Sequence, residues 1–198
     1  MKLDLAFYAR DPRVVAEALI GKHLVHIVDG VRRGGRIVET EAYLGPEDLA
    51  SHSRFGPAGR SRHMFGPAGV AYVYLIYGMY DCFNVVTGED GIPGAVLVRA
   101  LEPEEGVAGR TDGPGRLTRA LGIDRRYDGT SLVEGPLWLE DRGEPPPRIR
   151  RTARVGVAYA GSWSRRLMRY VDADSASLSV RLPGDAIRAR ASRSRAPR

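Results

Sequence analysis

Residues 36–43 read Arg36-Ile37-Val38-Glu39-Thr40-Glu41-Ala42-Tyr43, and the chain continues through Leu44-Gly45-Pro46-Glu47-Asp48 toward His52. An extended segment sends successive side chains to opposite faces. Ile37, Glu39, Glu41 and Tyr43 are therefore expected on one face, with Val38, Thr40 and Ala42 on the other. Two carboxylates and a ring would then line up beside a Gly-Pro turn, with a histidine a short loop away. Ionised carboxylates that close repel one another, and apolar walls raise the cost of ionising either. The pattern suits a general base beside a flat, stackable substrate. It equally suits two glutamates on a solvated strand face, and the octapeptide alone does not separate the two readings.

Upstream, Asp11-Pro12 reads as an N-cap and a first helical residue. Val14, Val15, Ala18 and Leu19 are expected to form the apolar face, with Gly21 as the stop. Residues 24–28 read as a strand, and Asp29-Gly30 is a hairpin turn. Downstream, residues 44–69 are expected to form a long loop with Phe-Gly-Pro-Ala-Gly at 55–59 and again at 65–69. A structureless loop of that length is more often functional than filler. Residues 70–80 read as a strand ending in a turn at Gly78, residues 81–86 as its antiparallel return, and 94–100 as a further strand. Gly113-Pro114 opens a short helix through Leu121, closed by Gly122. Trp138-Leu139, residues 152–159 and residues 177–181 are expected to be strands, and 143–151 an exposed connection. The expected class is α+β, with a mostly antiparallel sheet and a few flanking helices.

A chain of 198 residues suits one well-cored domain, placed at 1–186. Residues 187–198 carry five arginines and no acid, and are expected to be a disordered tail with weak phosphate affinity. The formal net charge is +6, and Lys2 and Lys22 are the only lysines, so the excess comes from arginine. A basic chain favours polyanionic partners such as nucleic acid. Arginine-rich codon usage or an ion-paired, heat-stable surface would produce the same excess. Asp4 interrupts the apolar start, so no signal peptide is expected, and no run approaches the length of a membrane span. Cys82 is the only cysteine, which excludes an intramolecular disulfide or a thiolate metal cluster. A cytoplasmic protein without a membrane partner is the expectation.

Tyr72, Tyr74, Tyr77 and Tyr80 fall within nine residues. On a strand Tyr72 and Tyr74 share a face, while Tyr77 and Met79 flank the glycine of the turn. Large apolar side chains at an exposed tip invite a partner. A side chain that wedges into the DNA minor groove and unstacks a base step needs this kind of projection.

With these segments in view, the chain resembles the alkyladenine DNA glycosylase (3-methyladenine DNA glycosylase) family. The matching blocks are residues 36–53, Met64-Phe65 with 72–84, 97–103, 113–117, and 153–157 with Gly161-Ser162-Trp163. The resemblance implies a compact single domain around a curved antiparallel sheet, with a protruding hairpin that inserts into DNA. It implies cleavage of the N-glycosidic bond of damaged purines in double-stranded DNA, by a monomer that uses no cofactor and no metal. Glu41 matches the carboxylate that activates water, and Arg99 the arginine near that water and the target phosphate. Tyr43 matches the ring that stacks on one face of the flipped base, His52 and Tyr74 the opposite wall, and Asn84 the residue that opposes guanine. Tyr77 matches the intercalating residue, with Met79 beside it, and Arg60, Arg62 and Arg116 are the DNA-backbone positions. The loop at 55–63 is shorter than the family's pattern and differently spelled.

Glycosylases that also nick the backbone need an amine for a Schiff base, and both lysines lie outside every matching block. A monofunctional hydrolase that leaves an abasic site is therefore expected. Alkylated purines are cationic and suit electron-rich tyrosine faces. They are expected to be better substrates than the neutral hypoxanthine and ethenoadenine. Two rivals compete: a Mg²⁺ or Mn²⁺ nuclease using Glu39, Glu41, Glu47, Asp48 and His52, and a DNA-shape binder without chemistry.

Overall fold

A computed structural model describes residues 1–182 apart from positions 90 and 105, so the expected tail at 187–198 lies outside the described residues. The octapeptide ends β2 (Val31–Tyr43), the hub of an eight-stranded sheet. One edge of β2 pairs with β5 (Ala95–Pro103). Its other edge pairs first with β1 (His23–Val28) and then, at Glu39, Thr40 and Glu41, with β8 (Arg169–Asp172). Outward from β5 come β4 (Tyr80–Val86) and β3 (Ala71–Ile76). β6 (Leu137–Glu140) adds to β1, and β7 (Ile149–Thr152) adds to β8. Every pairing is antiparallel. The result is the α+β domain expected, with a curled sheet and few helices.

The β1–β2 turn follows the local chemistry. Asp29 and Gly30 have φ of 51° and 73°, the paired left-handed conformation of a tight hairpin, and Val28 faces Val31 across it. Three helices cover the inner face: α1 (Leu5–Tyr8), α2 (Pro12–Ala18) and α3 (Pro114–Leu121). Asp11 caps α2 by accepting from the Arg13 amide at 2.8 Å. Val15 and Ala16 of α2, with Leu19 and Ile20 just after it, are buried, and Val14 departs from the expected set by turning to solvent. Gly122, at φ 71°, closes α3 as expected. Leu19, Leu24, Ile37, Val98, Leu101, Leu117 and Leu121 fill the core between helices and sheet. Side chains of this size each contribute about 1.5–3 kcal/mol when fully buried.

The sheet departs from regular pairing where it matters for function. Between Ile37 and Thr40 the β2–β5 register shifts twice, stepping past Val38 on one strand and Arg99 on the other. An extra residue flips the facing of everything beyond it. Ile37 consequently joins Thr40 and Ala42 on the α2 side, where Thr40 Oγ1 donates to the Ala16 carbonyl at 2.7 Å. Val38 packs in a separate cluster with Ala100, Val171, Leu178 and Leu182. The expected grouping of Ile37 with Glu39, Glu41 and Tyr43 is thus corrected by a bulge.

Two expected strands are absent for a common reason. In 152–159 only Thr152 is in a strand, and in 177–181 none is. Their amides serve buried carboxylates instead of a ladder: Val155 N donates to Glu41 at 2.7 Å and Ser179 N to Glu39 at 2.6 Å. The 44–69 segment is not structureless either, since it contains 3₁₀ turns at His52–Phe55 and Gly59–Phe65. The end of the 143–151 connection, from Ile149, is strand β7.

Candidate active site

Glu39 and Glu41 are both fully buried, yet they serve different purposes. Glu39 is saturated. It accepts from Arg169 Nε at 2.7 Å, Arg99 Nε at 3.1 Å, and both the amide and hydroxyl of Ser179 at 2.6 and 2.7 Å. Glu41 accepts on Oε1 from Val155 N at 2.7 Å, and on Oε2 from Tyr43 Oη at 2.8 Å and Arg99 Nη1 at 3.4 Å. Arg99 therefore bridges the two glutamates. Burial works against its charge, but the Glu41 and Glu39 carboxylates hold the guanidinium above its ordinary pKa.

All three donors to Glu41 belong to residues lining one cleft of about 940 Å³. Tyr43, His52, Tyr74 and Asn84 line the same cleft, so the sequence-predicted pocket residues converge on one space. The His52 ring stands edge-on to Tyr74, with centroids 4.7 Å apart, and its Nδ1 lies 2.8 Å from Tyr72 Oη. Burial, then the Glu41 charge, holds the Tyr43 phenol well above its ordinary pKa, which keeps it a donor. Burial also pushes the Cys82 thiol on the cleft wall up to about 11, so it packs as a neutral side chain. Asn84 donates through Nδ2 to the carbonyls of Tyr72 and Cys82, at 3.0 and 3.3 Å. That fixes the orientation of the amide and leaves its oxygen as the end with acceptor capacity.

At the rim, Tyr77-Gly78-Met79 connects β3 to β4. Tyr77 has φ 53° and is 83 % exposed, and Met79 is 66 % exposed. A left-handed conformation costs a non-glycine residue roughly 1–2 kcal/mol. Such strain with a ring left in solvent is the kind of outlier from which a binding role can be inferred. The guanidinium of Arg60 lies 5.8 Å from the Tyr74 ring centroid, and Arg62 is exposed with its Nε donating to His63. Arg116 is exposed but already paired with Asp112 at 3.2 Å.

Several contributors were given no such role by the sequence. Arg154 and Asp48 form a fully buried pair with contacts of 2.6 and 2.8 Å, and Asp48 also accepts from the amides of Leu44 and Ala50. The Arg154 guanidinium backs one face of the Tyr43 ring at 4.7 Å. Ser179 lines the cleft from a loop and Tyr159 from the 3₁₀ segment Ala158–Arg165, both at positions expected to be strand. The nuclease reading loses its ligands, because Glu39 and Asp48 are committed to arginines. Among the described residues no three His, Cys, Asp or Glu side chains are grouped to hold a metal ion.

His52 also sets a pH dependence. Burial, then the Arg60 and Arg54 charges, pulls its imidazole down to about 4 from the ordinary 6.5. Between those values the unfolded chain binds the additional proton. The contribution to stability is therefore complete above pH 6.5 and is lost as pH falls toward 4. The unfolding temperature is expected to drop across that window, and His52→Gln to flatten the drop. Equal slopes for both proteins would exclude His52 as the source.

The chain is similar to known proteins over most of its length. A methylpurine-DNA glycosylase family model matches residues 6–176. A protein of Anaeromyxobacter sp. (strain Fw109-5) is 57 % identical over 93 % of this chain and 95 % of its own length. One from Myxococcus xanthus is 52 % identical over 89 % of this chain and 93 % of its own. One from Legionella pneumophila (strain Corby) is 47 % identical over 90 % and 98 %. All three carry the name "Putative 3-methyladenine DNA glycosylase". No helix among the described residues is long and apolar enough to cross a membrane. Glu41 itself is fully buried behind the cleft wall, reached only through its donors Tyr43, Arg99 and Val155. The family match over residues 6–176 and relatives at 47–57 % identity over most of the chain place this protein in the methylpurine-DNA glycosylase family.

Proposed function

We propose that this family member is a monofunctional hydrolase that extrudes alkylated purines, such as 3-methyladenine, from duplex DNA and cleaves their glycosidic bond, leaving an abasic site. It acts as a monomer in the cytoplasm, without metal or cofactor. The observation that carries this reading is a single carboxylate, Glu41, held by three donors that all line a cleft walled by Tyr43, Tyr74 and His52. Extruding a base costs a few kcal/mol, less when the base is damaged. Stacking against the ring of Tyr43 on one side and Tyr74 with His52 on the other returns roughly 1–3 kcal/mol per contact. Tyr77 fills the space vacated in the duplex and Met79 leans on the neighbouring pair. Arg60 and Arg62 hold the backbone, with Arg116 joining them on exchanging Asp112 for a phosphate.

As the glycosidic bond breaks, positive charge grows on the sugar. Glu41 stabilises it across a short distance and takes a proton from the attacking water. Arg99 keeps Glu41 in place and faces the target phosphate. Asn84 disfavours guanine, whose exocyclic amine would collide with its side chain. Hypoxanthine and ethenoadenine need a proton on the leaving base, and His52, with its imidazole held neutral near pH 7, is a poor source of one.

The test is base release from a panel of lesion-bearing duplexes, with and without EDTA, followed by borohydride. Cationic alkyl-purines are expected to be released fastest, EDTA to have no effect, and no covalent DNA adduct to form. A preference for neutral lesions, loss of activity in EDTA, or a trapped adduct would each overturn the corresponding part.

A further inference from the structure

Away from the cleft, several arginines are matched with acids. Arg32, Arg36, Arg142 and Arg151 each meet a carboxylate at distances between 2.6 and 3.0 Å. Along one part of the rim the pattern reverses. Residues 49–66 and 153–171 contain no Asp or Glu, yet Arg54, Arg60, Arg62, Arg165 and Arg166 stand exposed on them. None of these five is ion-paired among the described residues.

The two segments meet through Arg54. Its guanidinium lies 4.4 Å from the Phe55 centroid and 5.6 Å from that of Tyr159, and Nη1 donates to the Leu49 carbonyl at 2.7 Å. Phe55 and Tyr159 are nevertheless 70 % and 63 % exposed, and Leu167 is 59 % exposed. Farther along, Arg166 rests on Trp163 at 3.6 Å. A strip of exposed rings with uncompensated, partly immobilised guanidinium groups matches one occupant in charge and shape. Phosphates would take the arginines, and deoxyribose edges would lie on the rings. Tyr159 itself lines the cleft, so the strip is continuous with the site.

We propose that Arg54, Phe55, Tyr159, Arg165, Arg166 and Leu167 form a second DNA-holding ridge, built separately from the Tyr77 hairpin, that grips the sugar-phosphate backbone beside the extruded nucleotide. This rests on the glycosylase reading and extends it to surface that the sequence comparison left without a role.

The test is salt-dependent binding of the full chain to a duplex carrying a tetrahydrofuran abasic analogue. Each lost phosphate contact lowers the slope of log K against log salt by about 0.9. Arg54→Ala is expected to remove about one such step and the Arg165→Ala/Arg166→Ala pair about two, each weakening binding about tenfold or more. Tyr159→Ala is expected to weaken binding without changing the slope, and Tyr159→Phe to restore it. Arg32→Ala, an exposed but paired arginine, is expected to keep the wild-type slope. Matching unfolding temperatures establish that the variants are folded. Ridge variants that keep the wild-type slope and affinity, like Arg32→Ala, would overturn the proposal. Failure of the glycosylase reading is seen separately, as a wild-type protein that binds this duplex but releases no base from any lesion.

Discussion

Glu41→Gln is expected to reduce base release by roughly 10²–10⁴-fold, the range for loss of a positioned general base, while leaving DNA binding nearly intact. The hydrogen bonds explain why the two effects separate. The Gln carbonyl can still accept from Val155 N, so the backbone beside the cleft keeps its partner. The amide nitrogen then faces Tyr43 Oη and Arg99 Nη1, both donors to the carboxylate in the native protein. Tyr43 can rotate its hydroxyl and accept instead. Arg99 cannot, but it retains Glu39 and Ser179. The variant is expected to stay folded, with a stability loss of about 1–3 kcal/mol from the mismatched donor. Single-turnover excision measured beside binding to the same lesion duplex checks both halves. Undiminished excision would remove Glu41 from the chemistry, whatever the fold.

The largest stability effect is expected not at the acid but behind the tyrosine. Asp48→Ala leaves the Arg154 guanidinium buried without its counter-charge and strips an acceptor from the Leu44 and Ala50 amides. Breaking a buried pair from one side costs about 3–5 kcal/mol. For a chain of this size that lowers the unfolding temperature by roughly 6–20 °C. Excision is expected to fall too, because Arg154 backs the Tyr43 ring and donates to the Ala42 carbonyl. Replacing both partners, as Asp48→Leu/Arg154→Met, should recover part of the stability, since no charge is then stranded. A melting temperature unchanged by Asp48→Ala would show that the pair does not carry the loop.

How far the sequence could be read varies by element, for physical reasons. β1 with its Asp-Gly turn, the β3–β4 tyrosine hairpin and α3 between Pro114 and Gly122 are set by local chemistry, and they formed as expected. The facing of Ile37 was not readable, because the bulge comes from mutual adjustment of β2 with β5, some sixty residues away in the chain. Nor could the octapeptide tell the structural glutamate from the other. What commits Glu39 are Arg169 and Ser179, 130 and 140 residues downstream. The resemblance pointed to Tyr43, Tyr74, His52 and Asn84 as neighbours, and the cleft contains all four. It attached no role to Arg154 or Ser179, whose importance lies in which distant backbone they hold. A local pattern of apolar and polar residues cannot express that.

One consequence follows from the way β2 exchanges β1 for β8 along a single edge. Glu39, Thr40 and Glu41 gain their second neighbour only when Arg169–Asp172 arrives, and Glu39 then waits for Ser179. Contacts of such long sequence separation form late. On a ribosome, the early two-thirds of the polypeptide would emerge with its acid unclamped and its cleft unfinished. A copy truncated before Arg169 would therefore be inert toward the genome, and competence to remove a base would arise only once residues 169–179 have been added.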